Sequence, residues 1–249
     1  MPERNKGMAT AMSTEGLYRL LAWSSPAFPI GAFSYSHGLE AAAADGAVYD
    51  RATLESWIRA VVVHGSGRVD ADILRDAWRA VADGDDAALA TANRRGCAYR
   101  ATAELALESG QQGAAFVVAY NAAWAAPDPE PLPVNGPREG PAPEAWEGEG
   151  QLCHAAAFGA VAARGRIALG DTLTAYLSAF AANLMSSGLR LGIIGQTDGQ
   201  RILAAIEPAI ATAVAACLVR EMQDFGAATF ALDIASMAHE TQYSRLFRS

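Results

Sequence analysis

Four histidines, three cysteines and a single lysine are the side chains here most suited to nucleophilic, acid–base or metal chemistry. His37, His64, His154 and His239 never fall at a spacing, such as HExxH, that sets two ligands on one helical face. Cys153 and His154 are adjacent, and helical neighbours point about 100° apart. His37 and Glu40, three apart, can meet on one helix face, but such pairs are commoner as surface contacts than as acid–base sites. Cys97, Cys153 and Cys217 are widely spaced, with no CxxC, which fits a reducing cytoplasm and three small buried side chains better than a disulfide framework. Lys6 lies in a segment expected to be mobile. A Schiff-base enzyme or a phosphate-loop nucleotidase needs a lysine held in a structured site, so both are excluded. No GxSxG elbow occurs, "HGSG" around Ser66 reads as a helix end, and "GEGQLC" from Gly148 fails the dinucleotide fingerprint. The sequence therefore nominates no catalytic residue, no cofactor and no metal ligand set. The surviving enzymatic reading, a metal- or His-dependent enzyme using His37, His154 and His239, rests only on their proximity to apolar segments.

The elements that would position these residues are helical. Apolar residues recur at helical spacing through most of the chain and strand alternation is nearly absent, so the expected fold is all-α, a single helical-bundle domain over 13–249 preceded by a flexible tail at 1–12. Asp50 reads as the N-cap of a helix whose stripe is Leu54, Trp57, Ile58, Val61 and Val62, ended by Gly65. Ile73, Leu74, Ala77, Trp78 and Val81 mark the next, closing near Gly84. Asp85 is expected to cap a third that runs toward Glu108, and Gln111 to Ala126 is a further candidate. Thr197 and Gln200 suggest a capping box for a long helix in which Pro208 should cause a kink or a division. Between 127 and 150, seven of the 11 prolines gather beside five glutamates, which predicts a flexible acidic loop inserted in the bundle.

Bulk properties narrow the partners. A net charge of −8 argues against a basic face for nucleic acid or anionic lipid. The first dozen residues carry no apolar signal region, so a cytoplasmic protein is expected. Thr172 to Leu189 is uncharged and long enough to raise a membrane span, but its hydroxyls and Asn183 favour a buried helix and no membrane role.

Two stretches are left over. In "SSPAFPIGAFSYSHGLE", Ser24 to Glu40, Pro26 and Pro29 force extended conformations on the residues before them, "FPIG" suits a turn, and Ser34 or Ser36 can cap a helix that Gly46 ends. Phe28, Ile30, Phe33 and Tyr35 are expected to pin that turn to the core. "MAHETQYSRLFRS" combines Tyr243, Arg245, Leu246, Phe247 and Arg248, the residue types that anchor protein interfaces. Either it docks a partner or it folds back on its own bundle.

These stretches carry a resemblance. "LLAWSSPAFPIGAFSYSHGLE", "GQTDGQRIL" from Gly195 and "HETQYSRLFRS" from His239, with Asn93, Arg94, Arg100, Thr102, Glu104 and Leu105, are similar to the signature segments of the UreF family of urease accessory proteins. The chain departs from them at Ala101, where glutamate is usual, and before Gly195, where proline is. The resemblance implies a non-enzymatic all-helical protein that dimerises. It implies partners too: the accessory protein UreD (also called UreH), the GTPase UreG and the urease apoprotein, in an assembly that delivers nickel to urease. It also implies partner-binding roles for Gly195 and Gln196 and for the tail 239–249: His239, Tyr243, Arg245, Leu246, Phe247 and Arg248. Tyr35 and His37, taken as the exposed part of the 24–40 turn, form a second candidate surface.

Overall fold

In the computed structural model the described residues are 12–125 and 151–249. The tail expected at 1–12, apart from Met12, and the acidic loop at 127–150 lie outside them, as does Lys6. Helix α1 (Thr14–Trp23) is followed by the 24–38 turn region and a short α2 (Leu39–Ala44). Then come α3 (Arg51–His64), α4 (Ser66–Asp83), α5 (Asp86–Ala98), α6 (Ala103–Ala123) and α7 (His154–Arg164). The chain continues through α8 (Leu169–Arg190), α9 (Gln196–Val219) and α10 (Phe230–Glu240), with no strand among the described residues.

Local chemistry sets most of these boundaries. Asp50 caps α3 through a reciprocal capping box with Thr53, Gly65 ends that helix, and Gly84 closes α4 in the left-handed conformation at φ 69°. Asp85 accepts from the Ala88 amide to start α5. The expected continuation to Glu108 does not occur. The Arg100 guanidinium turns inward to Asp70 at 2.8 Å, and Thr102 caps a new helix by accepting from the Leu105 amide. Hence α6 absorbs the separate helix expected from Gln111. A second correction concerns α9. It starts at Gln196 with Gly195 as an N-cap that has no side-chain bond, so Thr197 lies in the first turn and forms no capping box with Gln200. Pro208 does not divide the helix, which runs unbroken to Val219.

Helix α7 is the centre of the bundle. Ala155 to Ala163 are all buried, as expected of a helix that is apolar on every side. Small residues let it approach α4 closely: a Cβ on Gly159 would lie 2.4 Å from the Leu74 carbonyl oxygen. Leu54, Ile58, Phe116, Phe158, Leu173, Leu177 and Ile206 join one continuous core around this pair. The last carbonyls of α9 are satisfied from α4, Arg75 donating to Cys217 and Arg220 oxygens and Arg79 to that of Leu218.

The uncharged stretch in α8 is core: Thr172, Leu173, Leu177, Leu184 and Ser187 are buried, and the Thr172 and Ser187 hydroxyls donate back to Ala168 and Asn183 carbonyls. Among the described residues the helix long and apolar enough to cross a membrane is instead α9, and only 28% of its most apolar 18-residue stretch is buried.

Candidate functional site

The two stretches left over from the sequence meet each other. Residues 239–249 fold back on the bundle, and Tyr35, Ser36, His37, Gly38 and Glu40 of "YSHGLE" surround the site where they do so. The Tyr35 hydroxyl donates to Gln111 Oε1 at 2.7 Å, and burial together with Glu108 pushes its pKa up. The Ser36 amide donates to the Ser249 carbonyl at 2.6 Å, and its hydroxyl donates to the same oxygen. His37 Nε2 pairs with Glu108 at 2.9 Å, and Glu108 also accepts from the Ser249 hydroxyl. Gly38, at φ 73°, lets the α10 backbone approach: a Cβ there would sit 2.7 Å from the Ser236 nitrogen. Leu39 is fully buried.

Glu40 completes the set. Its Oε1 accepts from the Leu246 amide at 2.6 Å and its Oε2 from the Phe247 amide at 2.9 Å. The Glu40 Oε2 also pairs with His239 Nε2 at 3.1 Å, while His239 Nδ1 faces Glu104 at 2.7 Å. Glu104 in turn pairs with Arg245 at 2.5 Å. Thr102, the cap of α6, shares a hydrogen bond with Ser236 of α10 at 2.9 Å. The Phe247 ring is buried beneath Arg190, whose guanidinium carbon lies 4.2 Å from the ring centroid. The Arg248 amide donates to the Ser34 carbonyl. The segment is therefore clamped by neutral bonds together with buried bonds to the Glu40 and Glu108 carboxylates, and a bond to a charged group is stronger than a neutral one.

The clamp fixes which side chains remain outside. Phe230, Ile234 and Met237 recur at helical spacing on α10 and are 78%, 64% and 50% exposed; Tyr243 and Leu246 extend the same apolar character into the closing residues and are also exposed. Five large apolar groups held in the open on a rigidly docked segment suit a protein-binding face.

Of the residues named from sequence, His239, Arg245, Phe247 and Arg248 hold this segment to the bundle, while Tyr243 and Leu246 face outward. Tyr35 and His37 are not the exposed part of the turn: Tyr35 is buried with its hydroxyl on Gln111, His37 is partly buried with Nε2 on Glu108, and the exposed ring of the turn is Phe33. The "FPIG" turn is also tighter than expected, closing from the Ile30 amide to the Phe28 carbonyl at 2.8 Å. Gly38 holds the N-cap position of α2, while of the two serines expected to cap it Ser36 does serve the helix start, its hydroxyl accepting from the Glu40 amide at 3.4 Å. Gly195 and Gln196 are exposed at the start of α9. The residues sequence reasoning passed over are Glu40 and Glu104 as clamps. A carboxylate in an otherwise apolar turn was the available signal, since a buried charge must be paired.

A cavity of about 270 Å³ lies behind the clamp, lined by Trp23, Phe28, His37, Arg100, His154 and Tyr176 among others. It brings His37 and His154 together but leaves His239 outside. Burial lowers the His154 pKa to about 4, keeping the ring neutral among Phe116, Phe158 and Tyr176. Asp70 pairs with Arg100, whose pKa is raised by that carboxylate against the cost of burial, and accepts from Tyr176. No group of three metal-binding side chains is present among the described residues.

The UreF family model matches residues 48–207. Proteins described as urease accessory protein UreF are similar along the whole chain. That of Rhodopseudomonas palustris (strain HaA2) is 44% identical over 249 residues, covering 100% of both chains. That of Granulibacter bethesdensis is 42% identical, covering 94% of each. A third, from Bradyrhizobium diazoefficiens, is 40% identical and covers 98% of this chain and 96% of its own.

Proposed function

The chain belongs to the UreF family of urease accessory proteins, which are not enzymes, and from that premise we propose that it is a docking scaffold for urease maturation. It works in the cytoplasm, joins UreD (UreH) and the GTPase UreG on the urease apoprotein, and so couples nucleotide turnover in UreG to nickel insertion. The observation that carries this reading is the exposed apolar row of Phe230, Ile234 and Met237, continued by Tyr243 and Leu246, on a segment whose own backbone is already clamped. A face ordered in advance loses less conformational entropy on binding than a mobile one. UreD is the partner assigned to it. Gly195 and Gln196, at the exposed start of α9, belong to a different face. On α9 itself Ala204, Pro208, Ala211, Ala215 and Val219 share an exposed apolar stripe, which supports the homodimer.

Co-purification with UreD tests the assignment. Ile234→Asp, which leaves every clamp contact in place, should abolish capture, and deletion of Gln242 to Ser249 should do the same. Urease activity in nickel-supplied cells that carry the variant should fall in parallel. Undiminished capture by both variants would overturn the docking face.

A further inference from the structure

Two of the three cysteines, 56 positions apart in sequence, share one pocket of the fold. Asn93 of α5 organises it. Its Oδ1 accepts from the Cys153 amide at 2.8 Å and from the Cys97 thiol at 3.8 Å, and its Nδ2 donates to the Gln151 carbonyl. The Cys153 sulfur rests on the α5 backbone next to Cys97, so close that a Cβ on Gly96 would come within 2.6 Å of it. The two thiols are neighbours around Asn93 and Gly96, each shifting the ionisation of the other, and Arg100, anchored by Asp70 and by the Gly96 carbonyl, supplies positive charge to both. Both thiols are free, Cys153 buried and Cys97 partly exposed. Nothing in the docking role uses them.

We propose that Cys97 and Cys153 form a dithiol that a hydroperoxide oxidises to an intrachain disulfide joining the end of α5 to the start of α7. Cys97 is the attacking group. The neighbouring Cys153 thiol, outweighing burial, together with Arg100 lowers its pKa to about 7, so much of it is thiolate at neutral pH, whereas Cys153 is raised and stays a thiol. The Cys97 thiolate attacks the terminal peroxide oxygen. The O–O bond breaks, the alcohol (or water, from hydrogen peroxide) leaves with a proton, and Cys97 becomes a sulfenic acid. The Cys153 sulfur then attacks the Cys97 sulfur, the S–O bond breaks, and water leaves with the Cys153 proton. Two thiols lose two electrons and the hydroperoxide gains them. Cys217 provides an internal contrast: burial pushes its thiol up to about 12, beside Asp72.

The test is hydrogen peroxide treatment of the full-length protein, followed by intact mass and a non-reduced peptide map. A loss of two hydrogens, a linked peptide pair containing Cys97 and Cys153, and reversal by dithiothreitol are expected. In the native protein at pH 7, Cys97 should react with iodoacetamide at least about tenfold faster than Cys217. In Cys153→Ser the sulfenic acid at Cys97 should persist and be trapped by dimedone. Should that variant fail to fold, the wild-type map decides alone. Oxidation of Cys97 to sulfinic acid with no linked pair, a link through Cys217, or equal alkylation rates at Cys97 and Cys217 would overturn the proposal.

Discussion

The contact between α4 and α7 and the clamp on residues 239–249 hold the chain together by opposite means. In the first, glycine and alanine bring two backbones together and no polar side chain is needed; Gly159 lies against the Leu74 carbonyl in a layer of buried alanines. In the second, a carboxylate at Glu40 grips two backbone amides and a histidine, and little apolar area beyond Phe247 is buried. Close packing of small residues tolerates no added atom, because interiors are as dense as crystals. A polar clamp tolerates changes of size but not loss of an acceptor, because the amides it serves would be left unpaired.

Substitutions separate the two. Gly159→Leu should have the largest effect, since backbone on both sides must move; a stability loss of at least about 3 kcal/mol in urea unfolding is expected. A loss under about 1 kcal/mol would mean α4 and α7 can part without disturbing the core. Glu40→Ala should weaken the clamp by about 3 kcal/mol. The expected signature is local: hydrogen exchange at the 246 and 247 amides accelerates while exchange in α7 is unchanged. If α7 exchange accelerates equally, clamp and core are one unit.

Acid provides a third probe. His154 is neutral in the folded protein, with its pKa lowered to about 4 from 6.5 chiefly by burial, while the unfolded chain takes up a proton at the ordinary value. Stability contributed by this site is complete above pH 6.5 and is lost as pH falls toward 4, by roughly 2 to 3 kcal/mol. His154→Phe should abolish that part of the pH dependence, and matching slopes in the two proteins would refute it. Arg245→Ala should matter least to folding, below about 1 kcal/mol, because its ion pair with Glu104 is partly solvated. A larger loss in thermal unfolding would place Arg245 among the structural elements of the clamp rather than at its rim.

The core was legible and the clamp was not, for a physical reason. Asp50, Asp85, Gly65 and Gly84 act within a turn of their own positions, and the stripe of Leu54, Ile58, Val61 and Val62 announces its buried face by spacing alone. The break between α5 and α6 was missed because it depends on Arg100 finding Asp70 thirty positions away, which no local pattern encodes. Glu40 with Leu246, and His37 with Glu108, are likewise pairs made by the fold. The closing residues were recognised as interface-like by type, but their division into held and open side chains needed the three-dimensional arrangement. The exposure of Tyr35 and His37 was not legible because aromatic and imidazole groups look the same in sequence whether their polar atoms meet water or, as here, Gln111 and Glu108.

The grip of Glu40 has a consequence for how such a surface can change. The carboxylate engages peptide N–H groups, which every residue except proline presents, so it is indifferent to the side chains at 246 and 247 that those amides belong to. Tyr243 and Leu246 can therefore be exchanged for other residues to suit an altered partner while the backbone beneath them stays seated. Holding and reading are assigned to different atoms, and new specificity can be explored without first rebuilding the mount.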